Sequence, residues 1–527
     1  LWVAGLACGS VYFAISVTAF RRREATANWG LADKLTCRIS SLDVLWPDDF
    51  RRRKRLVQYI STRGEALALG FADAMLTGLA QDGGLYVPDT WPRLDAGAIA
   101  GFAGRSYAEV AVEIISRFVD ASISAVDLAR IAREAYGDFR HPAVAPLTQI
   151  GVNTFLLELF HGPTLAFKDL AMQFLARLMD NVLAARGERR TIVVATSGDT
   201  GGAAVEAFRD RRQVDLVVLF PHGRISDVQR RMMTTSGAAN VSAVAVDGTF
   251  DDCQAIVKGM FNHHGFGERV RLSGVNSINW ARIVAQAVYY FTAAVALGAP
   301  GRKVTFAVPT GNFGDVYAGY VAARLGLGVD RLIIATNVND ILARTLATGT
   351  YEPRAVVPTT SPSMDIQVAS NFERLLFEAC DRDAAAVRAA MASLAQSRRF
   401  TLSSRALSSI RTLFTADRAD EDEVAATIRT VKRETGNFID PHTAVAVAVA
   451  EKEHRDPIVP LIVLSTAHAA KFPDAVEAAC GSRPALPEWL SHINERPERI
   501  TALPSDQSAV EKFVLATSRA AQEGAAA

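Results

Sequence analysis

The chemistry legible in this chain begins at Lys168, in the string His161-Gly-Pro-Thr-Leu-Ala-Phe-Lys-Asp-Leu-Ala-Met-Gln-Phe174. The preceding run Thr154-Phe-Leu-Leu-Glu-Leu-Phe160 is short, rich in aromatic and branched residues and closed by Gly162-Pro163, which predicts a buried strand. Beyond the lysine, Leu170, Phe174, Leu175 and Leu178 recur at helical spacing. Lys168 therefore falls at a strand-to-helix junction between apolar walls. An ammonium held there loses hydration, its pKa falls, and the amine becomes available as a nucleophile or as the partner of an aldehyde. The ordinary alternative for a lysine at a helix start is a head group that snorkels to solvent.

Two glycine-bearing strings, and a third built around an arginine, could receive anions. In Thr196-Ser-Gly-Asp-Thr-Gly-Gly-Ala203, small hydroxyl residues and glycines at a helix start offer free backbone N–H groups and a positive dipole end. A plain helix cap accounts for the same residues. In Pro309-Thr-Gly-Asn-Phe-Gly-Asp-Val316, Gly311 and Gly314 let the backbone approach an anion closely. That string lacks both the lysine of a Walker loop and the third glycine of a dinucleotide fingerprint, so a single phosphate monoester suits it better than ATP or NAD. In Val275-Asn-Ser-Ile-Asn-Trp-Ala-Arg-Ile283, Asn276, Ser277 and Arg282 can converge on an anion, with the guanidinium as a planar fork; a surface cap with a solvated arginine is the bland alternative. His263-His264 has no carboxylate at metal spacing, so a loop is expected there and no metal site.

The elements that must position these residues alternate between strand and helix. Strands are expected at Thr191–Ala195, Val214–Phe220, Val241–Val246, Val304–Val308, Leu332–Ala335 and Leu461–Leu464. Near-continuous apolar runs of this kind indicate parallel sheets covered on both faces, with ligands gathered at the strands' carboxyl ends. Both glycine-bearing strings fall there, as does Leu464-Ser-Thr-Ala-His-Ala-Ala-Lys-Phe472. Past Asp381 the chain reads as helical and alanine-rich through Arg433, and Asp440-Pro-His-Thr starts another helix. Residues 58–149 mix glycine turns with helical periodicity, and Gln81-Asp-Gly-Gly-Leu-Tyr-Val-Pro88 suits a substrate-facing loop or a plain hairpin equally. The 527 residues are 49% apolar, enough for two or three cores, and carry a net charge of +1. Residues 1–56 hold ten basic against five acidic side chains, leaving a mildly acidic remainder of 47 against 51 that gives no support to nucleic-acid binding. Five cysteines without Cys-x-x-Cys spacing fit reduced thiols in the cytoplasm.

The lysine string, the two glycine loops and the Ser465-Thr466 string, in that order, closely resemble threonine synthases of the branch shared by many bacteria and fungi. The resemblance spans roughly residues 58–500. It implies an α/β fold of the fold-type II, tryptophan synthase β-like class, with two parallel-sheet-based domains and an additional N-terminal domain. The implied domains are an N-terminal domain over 57–149, a catalytic region over 150–500 and a C-terminal tail over 501–527. It further implies pyridoxal phosphate held as an imine on Lys168, with O-phospho-L-homoserine and water converted to L-threonine and phosphate. Gly311, Asn312, Phe313 and Asp315 would form the coenzyme phosphate cup. A carboxylate of Asp315 facing a phosphate dianion would repel it, so that residue is expected to act through its backbone or a bridging water. Thr466 would face the pyridine nitrogen, a neutral partner that makes a weaker electron sink than an aspartate would. Relatives commonly have Pro at the position of Ala469. Thr196, Ser197 and Thr200 would hold the substrate carboxylate, and Asn276, Ser277 and Arg282 its phosphate. Asp199 stands where the wider fold often has Asn, a trait of this branch.

Leu1 to Phe20 is largely apolar and is followed by Arg21-Arg-Arg23, the flank of a membrane anchor, but the run is of minimal length and interrupted by glycine and hydroxyl residues. Residues 1–56 are read as an upstream extension without a catalytic role. Three rivals remain open: a β-eliminating dehydratase on the same fold, a non-catalytic binding relative, and a membrane-tethered form. Oligomeric state is open between monomer and homodimer.

Overall fold

The strands expected from apolar runs form two sheets. The structure, a computed structural model, describes residues 57–453 and 456–526, so the extension at 1–56 lies outside the described residues. One sheet has six strands in the order Phe414–Arg418, Val329–Thr336, Val304–Pro309, Leu461–Ser465, Thr154–Glu158, Leu147–Gly151. All its pairings are parallel except the last, an antiparallel hairpin. The other sheet has five parallel strands in the order Thr501–Pro504, Val241–Asp247, Val214–Pro221, Arg190–Ala195, Leu272–Ser273. Every residue of Val214–Pro221 and of Val304–Pro309 is buried, because helices cover both faces of a parallel sheet.

The N-terminal domain pairs Tyr59–Ser61 antiparallel with Tyr86–Pro88. It packs on the catalytic region through Trp280, whose ring lies 5.9 Å from those of both Tyr59 and Phe118. The Gln81–Pro88 stretch forms a turn closed by Asp82, whose carboxylate accepts from the Ser61 hydroxyl and from the amides of Gly84, Glu65 and Ala66, before entering the second strand.

Three expectations need correction. Residues 501–527 are no mere tail: Thr501–Pro504 extends the five-stranded sheet beside Val241–Asp247, and the Gln507–Thr517 helix follows it with Val510 and Val514 fully buried. The strand is short and half exposed, so little apolar patterning marks it. The helical stretch from Asp381 to Arg433 is interrupted by Phe414–Arg418, an edge strand whose residues beyond Phe414 are only partly covered. His263-His264 caps one helix and opens the next rather than forming a loop, and His263 Nδ1 pairs with Glu511 at 2.9 Å. Among the described residues there is no cluster of metal-ligating side chains, and no helix is long and apolar enough to cross a membrane.

Candidate active site

Lys168 is the first residue of the helix Lys168–Arg186, and its place is set by a zipper with the segment that ends the Leu461–Ser465 strand. The Leu159 amide donates to Ser465 O, the Phe167 amide to Thr466 O and the His468 amide to Leu165 O, so residues 159–168 run alongside 465–468. The turn between strand and lysine closes on Asp169, whose carboxylate accepts from the Thr164 amide (2.7 Å) and hydroxyl (2.6 Å). A Cβ at Gly162 would stand 2.5 Å from the Asp169 Cβ, which is the physical reason for a glycine there. Burial lifts the Asp169 carboxyl to about 6.

Lys168 is buried, with Nζ 3.3 Å from Asp199 Oδ2 and over the Phe167 ring. Burial lowers its pKa; Asp199 opposes this, while Lys471 and Arg282 push further down. Asp199 opens the helix Asp199–Phe208 and accepts on Oδ1 from Lys471 Nζ (2.7 Å) and Gln229 Nε2 (2.9 Å). Burial alone would raise its pKa, but Lys471 and Lys168 hold it well below the usual carboxylate range. The Thr196 hydroxyl accepts from the Gly198 and Gly201 amides, both at 2.9 Å, and so shapes the loop; Ser197 and Thr200 beside it are half-buried.

The second glycine loop carries Phe313 in the left-handed region, φ 63°, capping the helix Gly314–Leu325. The Phe313 ring is anchored against Phe372 at 5.5 Å, so the strain at a non-glycine residue is held by packing. A Cβ at Gly311 would meet Ser363 O at 2.5 Å. The Asp315 side chain turns into the core, where its Oδ1 accepts from the Tyr289 and Tyr290 hydroxyls, and burial raises it to about 6. Its Oδ1 is thus engaged by the two tyrosines. Thr466 is buried at the strand end, and its hydroxyl makes no hydrogen bond among the described residues.

Arg282 is buried in the first turn of the helix Trp280–Ala296. Its Nη1 donates to Val275 O at 3.0 Å, its Nε has no partner, and no carboxylate among the described residues pairs with it. Burial lowers it to about 10. A buried cation without a counter-ion is costly unless an anion arrives to meet it. Ser277 is half-buried nearby, but the Asn276 side chain is exposed and bonds to neither, so the expected convergence of all three is incomplete.

Sequence reasoning missed Lys471, Gln229, Asn371 and Arg374. For Lys471 there was a signal, a lone lysine among residues reading as buried, in Ala469-Ala-Lys-Phe472. Arg374 sits in an unremarkable amphipathic helix, and only the fold reveals that it is fully buried.

The residues present fit pyridoxal phosphate: a buried amine, a loop that leaves no room for a side chain at Gly311, and a free hydroxyl on Thr466. With the parallel sheets this defines a fold-type II pyridoxal-phosphate enzyme. Family models for the threonine synthase N terminus, for pyridoxal-phosphate-dependent enzymes and for the threonine synthase C-terminal region match residues 58–136, 140–406 and 443–514. A Pseudomonas aeruginosa threonine synthase is 50% identical over 459 residues, 87% of this chain and 98% of the relative. The crystal structure of pyridoxal-phosphate-bound threonine synthase from Brucella melitensis superposes with a TM-score of 0.86 at 59% identity, covering 88% of this chain and 100% of that one. The yeast threonine synthase structure does so at 0.83 and 36% identity, over 88% and 99%. The chain belongs to the threonine synthase family.

Proposed function

We propose that this enzyme converts O-phospho-L-homoserine and water to L-threonine and phosphate, the last step of threonine biosynthesis. The observation that carries the substrate is Arg282, a buried guanidinium with an unpartnered Nε and no carboxylate partner among the described residues, close enough to lower the Lys168 pKa. A β-eliminating dehydratase has no need of a second anion site. The phosphate ester of the substrate supplies the missing counter-charge, with Ser277 beside it and Asn276 at the exposed rim.

When bound through Lys168, pyridoxal phosphate supplies an electron sink for the substrate's α-carbon. The amides of Gly311, Asn312 and Phe313, with the backbone of Asp315, would hold its phosphate, and the Thr466 hydroxyl its ring nitrogen. Lys168 would hold the coenzyme and, as a free amine, would move protons at Cα and Cβ. Thr196, Ser197 and Thr200 orient the carboxylate, while Arg282 grips the phosphate that leaves from Cγ. A proton would return to Cγ to make the methyl group, the hydroxyl of water would add at Cβ with its proton released, and reprotonation at Cα would complete threonine.

Arg282→Ala should raise KM for phosphohomoserine by about 10–100-fold, the worth of a charge-assisted hydrogen bond. An unchanged KM, with keto acid formed from serine or threonine, would favour the dehydratase. Lys168→Ala should abolish both threonine formation and the absorbance band of the coenzyme–lysine bond. A wild-type protein that shows no such band with coenzyme present supports a non-catalytic relative. We further place the enzyme in the cytoplasm, as monomer or homodimer, with residues 1–56 outside catalysis. Its free thiols at Cys253, Cys380 and Cys480 support that compartment. Fractionation of the full chain against one starting at Gln58, with activity measured on both, tests these points.

A further inference from the structure

Two buried lysines share one carboxylate in this site, and they share it unequally. Lys471 Nζ lies 2.7 Å from Asp199 Oδ1, while Lys168 Nζ lies 3.3 Å from Oδ2. Lys471 also donates to Thr164 O at 2.8 Å, and it ends a short helical turn, Ala469–Lys471, whose start is capped by His468 Nδ1. That turn is tied to the Lys168 segment by the pairing of Ala166 with Ala467 and by the amide bonds on either side of it. Lys471 is 1% exposed and fixed from both directions, so it cannot swing aside to leave Asp199 to its neighbour.

The charges facing Lys168 come from four elements. They are Asp199 on its helix, Lys471 on the short turn, Arg282 on the Trp280–Ala296 helix and Asp315 on the Gly314–Leu325 helix. Asp199 favours the ammonium form of Lys168; Lys471 and Arg282 disfavour it. For Lys168 to bond an aldehyde, its Nζ must first be a neutral amine. The nitrogen lone pair then forms the bond to carbon, the aldehyde oxygen leaves as water, and no redox partner is needed. Whatever keeps Asp199 from holding Lys168 as an ammonium therefore serves this step directly.

We propose that Lys471 is a positioning residue for the reaction: it holds Asp199 by the shorter of two ion pairs, so that Lys168 is released as an amine. This rests on the reading that Lys168 carries the coenzyme. Lys471 makes no contact with the coenzyme's aldehyde in this role; it acts through Asp199 and through its own charge.

The test is reconstitution of apoenzyme with pyridoxal phosphate, followed by absorbance between pH 6 and 9, which reads the bond itself rather than turnover. Lys471→Met should displace the rate profile to higher pH by about one unit, a roughly tenfold slower reaction near neutrality. Lys471→Arg, which keeps the charge, should restore the wild-type profile. Asp199→Asn, in an otherwise intact chain, removes the group that favours the ammonium and should displace the profile to lower pH. An unchanged profile in Lys471→Met overturns the proposal; should that variant not fold, an unchanged profile in Asp199→Asn overturns it equally. Borohydride reduction and peptide mapping of the wild type separate the two readings. A tag on Lys471 or elsewhere defeats the assignment of Lys168 itself, whereas a tag on Lys168 with unmoved profiles defeats only the role of Lys471.

Discussion

Asp315 is a carboxylate buried in the first turn of the Gly314–Leu325 helix, directly after the glycine loop. Its Oδ1 takes two tyrosine hydroxyls, which favour the carboxylate, but burial, with Oδ2 left without a partner, outweighs them and favours the neutral acid. Burial moves its pKa from 3.8 to about 6. Between those values the folded state binds a proton that the unfolded state has lost, so this group's contribution to stability falls as pH rises through that window. At pH 7 the cost is about 3 kcal/mol by the two-unit shift. Asp315→Asn keeps an acceptor for both tyrosines and removes the titration. Denaturant unfolding of the apoprotein should therefore show a flatter stability between pH 4 and 6 and a variant at least as stable as wild type at pH 7. Asp199 acts with the opposite sign: its depressed pKa stabilises the fold above the usual carboxylate range, and that contribution is lost as pH falls below it.

At the scale of elements, the site depends on loops with no spare room. The Gly311 loop lies against the short helical turn Pro362–Met364, and Phe313 takes a left-handed backbone that its anchored ring sustains. Gly311→Ala would drive a methyl against Ser363 O, forcing the loop outward at about 1–3 kcal/mol. On the proposed reading, in which the loop's amides hold the coenzyme phosphate, coenzyme affinity, measured by absorbance titration, should drop roughly tenfold or more. Helix content by circular dichroism should stay the same, because the loop lies outside the helices. The string was legible because glycine at these positions is demanded by contact, and such demands leave a mark in residue type. Its Ser363 neighbour, 52 residues away in the chain, left none.

Across the whole molecule, Asn371 and Arg374 join three regions that are remote in sequence. Asn371 Nδ2 donates to Asn312 O in the glycine loop (3.0 Å) and to Ser277 O beside Arg282 (3.2 Å). Arg374 donates to Asn371 Oδ1, to Ile278 O at 2.6 Å and, through Nε, to Tyr86 O of the N-terminal domain at 3.0 Å. Arg374→Met removes the donor to the buried Tyr86 carbonyl, at about 1–3 kcal/mol, and to the half-buried Ile278 carbonyl at less. Its unfolding midpoint should fall clearly, and KM for phosphohomoserine should rise as the Ser277 loop loosens. Lysine should rescue only in part, because a point charge cannot serve three acceptors in one plane.

The lysine turn, the two glycine loops, the hydroxyl at the end of the Leu461–Ser465 strand and the alternation of strand and helix were all set by local demands. Burial on both faces, tight turns and helix starts each restrict residue type over a few neighbouring positions, and that restriction can be read from the chain alone. The tertiary structure alone decided which charges meet. Lys471 reaches Asp199 across some 270 residues of chain, Arg282 is left without a carboxylate among the described residues, and Asp315 turns to Tyr289 and Tyr290. It also decided that Thr501–Pro504 completes a sheet. Electrostatic pairing and edge-strand addition place no constraint on sequence neighbours, so they come into view only when the chain is folded.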